Sequence, residues 1–161
     1  MTRRAYRLIR PEYTATAFTG EGARLYGGRW NSRGVAVVYA AESLSLAQLE
    51  LLVRVHSREI LENQFVCIAA EYPEELALPV SDLGTLPEDW AKPMPSSSTQ
   101  AIGDQWVREQ RSMALWVPSV LTAGEFNLVF NPVHPDFARL EVFAAVPFRF
   151  DPRLASTPRL A

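Results

Sequence analysis

The sequence has few residues of the kinds that crosslink a chain or bind metals. Its 161 residues include one cysteine and two histidines. Cys67 lies in the apolar run FVCIAA, which is typical of a buried strand, so we expect a small core residue rather than a nucleophile. Neither His56 nor His134 has a further ligand at metal-binding spacing. We therefore expect no metal site, and a chain of this length needs no crosslink to bury a core.

Basic charge is not in excess either. The chain has 16 Lys and Arg residues against 18 Asp and Glu residues, a formal net charge of −2. Proteins that hold a nucleic-acid backbone rely on clustered positive charge. Direct binding of nucleic acid is therefore not expected, and a nuclease is disfavoured by the same balance together with the missing metal ligands.

Long apolar runs and the common nucleotide signatures are also missing. No window approaches about 18 uninterrupted apolar residues, and the start MTRRAYRLIRPEY has no apolar signal segment. The stretch GGRWNSRG, residues 27–34, lacks both the G-x-G-x-x-G order and the lysine of a P-loop. These absences favour a soluble cytoplasmic protein with no membrane partner.

The patterns that are present predict a single compact α+β domain over residues 1–161. The composition, 48% apolar and 21% charged, is that of an ordinary globular protein. The segment 73–99 contains five prolines and predicts loops. Hydrophobic periodicity predicts helices at 43–56 and 99–112, and strands at 5–9, 35–41, 65–72, 114–121, 125–130 and 140–150.

Glu50 is the most unusual residue of the first predicted helix. Apolar side chains cover nearly the whole circumference of this helix, so it should be buried on most sides. A buried carboxylate is costly unless it is paired or used. Periodicity alone favours an ion pair with Arg54, four residues on. The alternative is a carboxylate presented into a pocket.

The loop before the second strand raises a similar choice. Arg29 stands next to two glycines, and arginine is well shaped to grip a phosphate or carboxylate. Arg24 and Arg33 are close in sequence, however, and any of the three is equally consistent with a solvated surface residue. Trp30 is expected to anchor the loop in the core. Tyr39 falls inside the run VAVVYAA, where an aromatic residue is usually core filling.

A serine hydrolase is a further combination of residue types in the chain. Ser119, His134 and Asp136 supply the three types, but no G-x-S-x-G elbow surrounds the serine. Nothing in the sequence positions the three residues together.

Five separated motifs, taken together, resemble the RES domain. In the family's order they are YR at 6–7, GGRWN at 27–31, VVYAAESLSLAQLE at 37–50, VPS at 117–119 and EFNLVFNPVHPDF at 125–137. The resemblance covers about residues 5–150. The family is named after an Arg, a Glu and a Ser. Its known members are toxins of RES–Xre toxin–antitoxin pairs, which resemble ADP-ribosyltransferases in fold and consume NAD.

The resemblance implies a site assembled from distant parts of the chain. Arg29, Glu50 and Ser119 match the three residues of the family name. The histidine of the H-Y-E class of ADP-ribosyltransferases has no counterpart, so Arg29 would take its place. The resemblance assigns catalysis to Arg29, Tyr39, Glu50 and Ser119, and NAD binding to Arg7, Arg29, Tyr39 and Asn131.

By this resemblance NAD is a substrate, and no cofactor is implied. The expected reaction cleaves the nicotinamide–ribose bond and transfers ADP-ribose to inorganic phosphate or water, which depletes NAD and arrests growth. One alternative is a mono-ADP-ribosyltransferase acting on a protein, and another is a non-catalytic binding module. The implied partner is an Xre-type helix-turn-helix antitoxin, which would make any DNA contact, and a homodimer is compatible with the sequence.

The residue types suit this chemistry. Cleavage of the bond develops an oxocarbenium-like cation, which the carboxylate of Glu50 would stabilise. Arg29 and Arg7 can make forked hydrogen bonds to phosphate oxygens. Tyr39 offers a ring face to the nicotinamide cation. Ser119 is expected to fix ribose or nicotinamide by one hydrogen bond rather than to act as a nucleophile.

Overall fold

One mixed β-sheet organises the chain. The computed structural model describes residues 1–56 and 62–155. The strands lie in the order β4-β5-β6-β2-β1-β3-β7, and β8 also pairs with β3. Strands β4 and β5 are parallel, and the other pairs are antiparallel. The described strands are β1 Thr2–Ile9, β2 Val38–Ala41, β3 Phe65–Pro73, β4 Ala77–Pro79, β5 Ala114–Pro118, β6 Phe126–Phe130, β7 Glu141–Val142 and β8 Val146–Phe148.

Two helices, α2 (Leu44–Leu52) and α3 (Ser97–Glu109), cover one face of this sheet. A shorter helix, α1, spans Glu21–Tyr26. Two apolar clusters lie under α2 and α3. The α2 cluster contains Leu8, Ala41, Leu46, Ala47, Phe65, Phe150 and Ala155. The α3 cluster contains Trp30, Val37, Val80, Trp106, Leu115, Val117 and Val129.

A third apolar cluster lies on the opposite face. Its side chains alternate with those of the first face along the central strands, as the two-residue period of a strand requires. Short 3-10 helices and turns supply partly buried side chains that pack against it. Its buried residues are Ala5, Val38, Ala40, Ala70, Tyr72, Met113, Ala114, Leu128, Phe130 and Leu140. The α+β class predicted from the sequence is confirmed.

The first predicted helix is confirmed, although it ends at Leu52 rather than at residue 56, and its predicted burial is wrong. It begins after Ser43, whose side chain accepts a hydrogen bond from the main-chain nitrogen of Leu46 at 3.1 Å. Ala47 is buried, whereas Leu49 is 43% exposed. The helix lies along the edge of its cluster with one side in solvent. An apolar pattern around the whole circumference does not show which side the sheet covers.

The second predicted helix is displaced by two or three residues at its ends. Its Trp106 side chain is 1% exposed, as the pattern predicted. Gly103 lets α3 pack closely against the glycine-rich loop of residues 27–34, since a Cβ at this position would lie 1.7 Å from the carbonyl oxygen of Trp30. The segment 73–99 was predicted to consist of loops, but it contains regular structure, namely β4 and the 3-10 helices Glu74–Leu76 and Val80–Leu83.

Among residues 1–56 and 62–155, no helix has both the length and the apolar character that a bilayer crossing requires. The same residues contain no group of three or more His, Cys, Asp or Glu side chains that could hold a metal ion.

Candidate active site

A polar position separates the α2 cluster from the α3 cluster. Asn127 of β6 lies directly opposite Ala41 on one side and Val117 on the other. Residues directly opposite each other point to the same face of a sheet. Asn127 therefore stands on the helix-covered face, between a member of each cluster. Tyr39 is opposite Val129 and lies on the same face, diagonal to Asn127.

The Glu50 carboxylate reaches this position from α2. Its Oε1 accepts a hydrogen bond from Asn127 Nδ2 at 2.6 Å and one from Ser119 Oγ at 3.4 Å. Arg54 does not contact this carboxylate among the described hydrogen bonds. Its Nε donates to the main-chain carbonyl of Glu50 at 3.0 Å. The prediction of an ion pair between Glu50 and Arg54 is therefore wrong, because the Glu50 carboxylate turns toward the sheet.

Ser119 holds both the carboxylate and its own loop. Its side chain is almost fully buried, and Oγ accepts hydrogen bonds from the main-chain nitrogens of Leu121 at 3.1 Å and Thr122 at 3.2 Å. Since Oγ accepts twice from the backbone, its proton is directed to Glu50. A hydroxyl in this arrangement positions a carboxylate and is poorly placed to attack a substrate.

Ser119 is not brought near the other two residues of the hypothetical serine hydrolase. Ser119 is at the Phe126 end of β6, where its main-chain nitrogen donates to the carbonyl of Glu125. His134 follows the other end of the strand, and its Nδ1 accepts a hydrogen bond from the main-chain nitrogen of Asp136. The five residues of β6 separate the two ends by roughly 16 Å.

Tyr39 fixes the glycine-rich loop through its hydroxyl. This group donates to Asn31 Oδ1 at 2.7 Å and accepts from the main-chain nitrogen of Trp30 at 3.0 Å. Burial raises the pKa of Tyr39, so the hydroxyl stays protonated. Gly28 is required here, because a Cβ would lie 2.6 Å from the Tyr39 hydroxyl oxygen.

Arg29 is held against the proline-rich segment. Its Nη1 donates to the carbonyl oxygen of Trp90 at 2.8 Å, and its Nη2 donates to that of Pro93 at 3.4 Å. The next residue, Trp30, is 2% exposed, which confirms that it anchors the loop. Gln100 of α3 adds a hydrogen bond to the Gly28 carbonyl at 3.0 Å. The loop that carries Arg29 is therefore fixed on both sides.

Arg7 of β1 contacts the main chain of β2. Its Nη1 donates to the main-chain carbonyl of Tyr39, and its Nε is buried without a hydrogen-bond partner among the described residues. Burial, with a smaller contribution from the positive charge of Arg54, lowers the pKa of Arg7 to about 10. The positive charges of Arg7 and Arg54 together favour the binding of an anion.

Asn131 lies at the end of β6 away from Glu50. It is fully buried after the Phe130 end of β6, whereas Asn127 is near the opposite end. Its Oδ1 accepts from the main-chain nitrogen of Val133 at 3.1 Å, and its Nδ2 donates to the Val107 carbonyl at 3.4 Å. The structure thus uses the Asn131 amide to hold a turn and does not join it to Glu50.

Asn127 is the site residue that the sequence analysis missed. The run EFNLVF was assigned correctly to a strand, but no role was given to its one amide. The signal was available, since an asparagine interrupts an apolar run at a position that alternation places on the same face as Val129.

The sequence matches a known family over most of its length. The RES domain family profile matches residues 4–151. The chain belongs to the RES domain family. It is 39% identical over 155 residues to the protein named Toxin Res of Photorhabdus laumondii subsp. laumondii, covering 96% of this chain and 98% of that protein. It is 38% identical over 144 residues to a Sphingobium protein named Prs ADP-ribosylating toxin, covering 88% of this chain and 89% of that protein.

A solved structure shares the fold of this RES domain. The Mycobacterium tuberculosis MbcT-MbcA toxin-antitoxin complex contains a chain that superimposes with a TM-score of 0.76 at 21% identity. The match covers 96% of the present chain and 87% of the other. At this identity the similarity establishes the overall fold alone.

Proposed function

We propose that this RES domain is the toxin of a toxin–antitoxin pair and that it cleaves the nicotinamide–ribose bond of NAD. ADP-ribose would pass to inorganic phosphate or to water, and loss of NAD would arrest growth. The observation that carries the proposal is the Glu50 carboxylate. It is held at one oxygen by Asn127 and Ser119.

The carboxylate supplies what the bond cleavage requires. As nicotinamide leaves, positive charge develops on the ribose ring. A negative group already fixed beside that charge stabilises the transition state without reorganisation. Because Oε1 of Glu50 receives both hydrogen bonds, Oε2 is the oxygen assigned to face the ribose.

The arginines would bind the anionic part of NAD. Arg7 is a cation in a desolvated position whose Nε has no partner among the described residues. A phosphate oxygen would supply the acceptor and offset the charge. Arg29 is assigned to the other side of the substrate, where it also donates hydrogen bonds to the carbonyl oxygens of Trp90 and Pro93 in the proline-rich segment.

Transfer of ADP-ribose to a protein is the second candidate. It is favoured by the relative named Prs ADP-ribosylating toxin, which is 38% identical to this chain. The same cation would be formed, and a protein side chain would replace phosphate or water as the acceptor. The two candidates differ in product and share the roles of Glu50 and Arg7.

Incubation of the purified protein with NAD, with and without phosphate, tests the proposal. Release of nicotinamide is measured together with the mass of the ADP-ribose product. Free ADP-ribose indicates water as acceptor, and a product heavier by one phosphate indicates phosphorolysis. Labelling of an added cell extract, with little free product, favours the protein-directed transferase. If no nicotinamide is released under any condition, the protein is not an NAD-cleaving enzyme. The remaining hypothesis is then the non-catalytic binding module.

The partner proposed for this toxin is an Xre-type helix-turn-helix antitoxin. The structural relative is itself part of a toxin-antitoxin complex. We expect the partner to supply the DNA contact, because this chain has a net charge of −2. Co-expression with the adjacent gene should restore growth, and co-purification measures the complex. Growth arrest that persists despite a stable complex would contradict the assignment.

A further inference from the structure

Asn127 connects the Glu50 carboxylate to the centre of the sheet. Its main chain lies between β2 and β5, opposite Ala41 and Val117. Its side-chain nitrogen is 2.6 Å from Glu50 Oε1, a shorter contact than the 3.4 Å from Ser119. Pairing on both sides leaves the strand little freedom to move, so this amide defines the position of the carboxylate oxygen more firmly than a loop residue would.

The chemistry of the pair fixes the orientation of the amide. An ionised carboxylate only accepts hydrogen bonds, so the NH₂ group must face Glu50. The amide oxygen is then directed away. Asn127 Oδ1 is buried and has no hydrogen-bond partner among the described residues.

An unsatisfied buried acceptor is unfavourable for stability. A leucine of similar size would suit the apolar residues on both sides, Ala41 and Val117, better than an amide does. The asparagine therefore weakens the fold locally while it supplies one donor to Glu50. Such a conflict between packing and placement is typical of functional sites.

We propose that Asn127 is the positioning residue for Glu50 in the NAD-cleaving reaction. It holds Oε1 in its ionised, acceptor form and leaves Oε2 to face the substrate. This inference rests on the proposed function, since it assigns Glu50 the stabilising role there. Asn127 acts through Glu50 and need not touch NAD.

The test compares Asn127→Leu with Asn127→Asp. The leucine removes the donor and the unsatisfied acceptor together. We expect it to unfold at the same temperature as wild type or higher, with kcat for NAD lower on the order of 10²-fold because the carboxylate is misplaced. KM should change little. The neighbouring Leu128→Ala, on the opposite face of the same strand, is the matched control. It should lower stability and leave kcat unchanged below its unfolding transition.

The pH dependence of activity in the aspartate variant distinguishes a positioning role from a packing role. This variant keeps the shape but replaces the amide donor with a second carboxylate, which cannot donate to Glu50 once it is ionised and then repels it. We expect its activity to fall as the pH rises and this second carboxylate ionises. Charged groups on the surrounding elements are Arg54 just after α2, Arg7 on β1 and Glu42 after β2, and all are unchanged in the variant.

A second measurement separates failure of this inference from failure of the proposed function. In protein labelled with ¹³C at glutamate carboxyls, the Glu50 signal is assigned by its loss in Glu50→Gln. The chemical shift of this signal at a fixed pH should change in both Asn127 variants, whether or not NAD is the substrate. Unchanged chemical shifts with unchanged kcat overturn the positioning role. A changed chemical shift in a protein that cleaves no NAD retains the contact and refutes only the reaction.

Discussion

Replacement of Glu50 by glutamine separates charge from shape at the candidate site. The glutamine oxygen can still accept from Asn127 Nδ2 and Ser119 Oγ, the two donors that hold Oε1 at 2.6 and 3.4 Å. The variant should therefore fold normally, with its unfolding temperature within a few degrees of wild type. It lacks only the negative charge that would face the ribose.

The size of the effect follows from Coulomb's law. A carboxylate about 4 Å from a unit positive charge, at an effective dielectric constant of about 20, contributes about 4 kcal/mol. Each ~1.4 kcal/mol of transition-state stabilisation is a factor of ten in rate. Full loss of the interaction thus lowers the rate by about 10³-fold, and incomplete charge development reduces this to about 10²-fold.

The assay is nicotinamide release under single-turnover conditions, which isolates bond cleavage from product release. Glu109→Gln, on the exposed side of α3, is the matched control and should retain full activity. The decisive comparison is between a folded Glu50→Gln protein and wild type. Equal rates would refute the electrostatic role of Glu50. A rate loss in Arg54→Ala as large as that in Glu50→Gln would instead indicate that the helix end, and not the carboxylate alone, controls the reaction.

Three further substitutions test the surroundings of the site. Arg29→Ala should weaken NAD binding, measured by calorimetry, by a few kcal/mol, whereas the exposed Arg24→Ala should have little effect; equal losses would mean that the loop acts only as diffuse charge. Arg7→Met removes a desolvated cation, so the unfolding temperature should stay the same or rise while the stabilisation by added NAD disappears; persistent stabilisation would assign the phosphate to other residues. Gly103→Ala should destabilise the fold strongly, because its Cβ would lie 1.7 Å from a loop carbonyl oxygen, whereas Gly22→Ala, with open space around it, should be neutral or stabilising in thermal unfolding.

The order and type of most elements could be predicted from local patterns. The β-branched run before Ser43 and the leucine-rich run after it differ in period, and they gave the β2–α2 boundary correctly. The ends of elements were less accurate, since β2 begins at Val38 rather than at residue 35. Helix α1 was not predicted. It has six residues and no buried side chain, so it carries no apolar period.

The partner of Glu50 could not be obtained from spacing. Arg54 is the i+4 neighbour, and helix periodicity favours that pair whenever nothing else is known. Asn127 and Ser119 are 77 and 69 residues away in sequence. The pairing of β6 with β2 and with β5 brings them to α2. The family motifs indicated that Glu50 and Ser119 belong together, and the strand pairing supplies the physical reason.

The location of the site follows from how one sheet supports two helices. Each helix requires an apolar surface beneath it, and the α2 and α3 clusters provide two such surfaces on the same face. Where the clusters meet, a side chain is covered fully by neither helix, so a polar group there costs less than it would at the centre of either cluster. Asn127 occupies this boundary on a central strand, and Glu50 reaches it from the last turn of α2. The strand therefore supplies rigidity and the boundary supplies access, which are the two properties that a preorganised carboxylate needs.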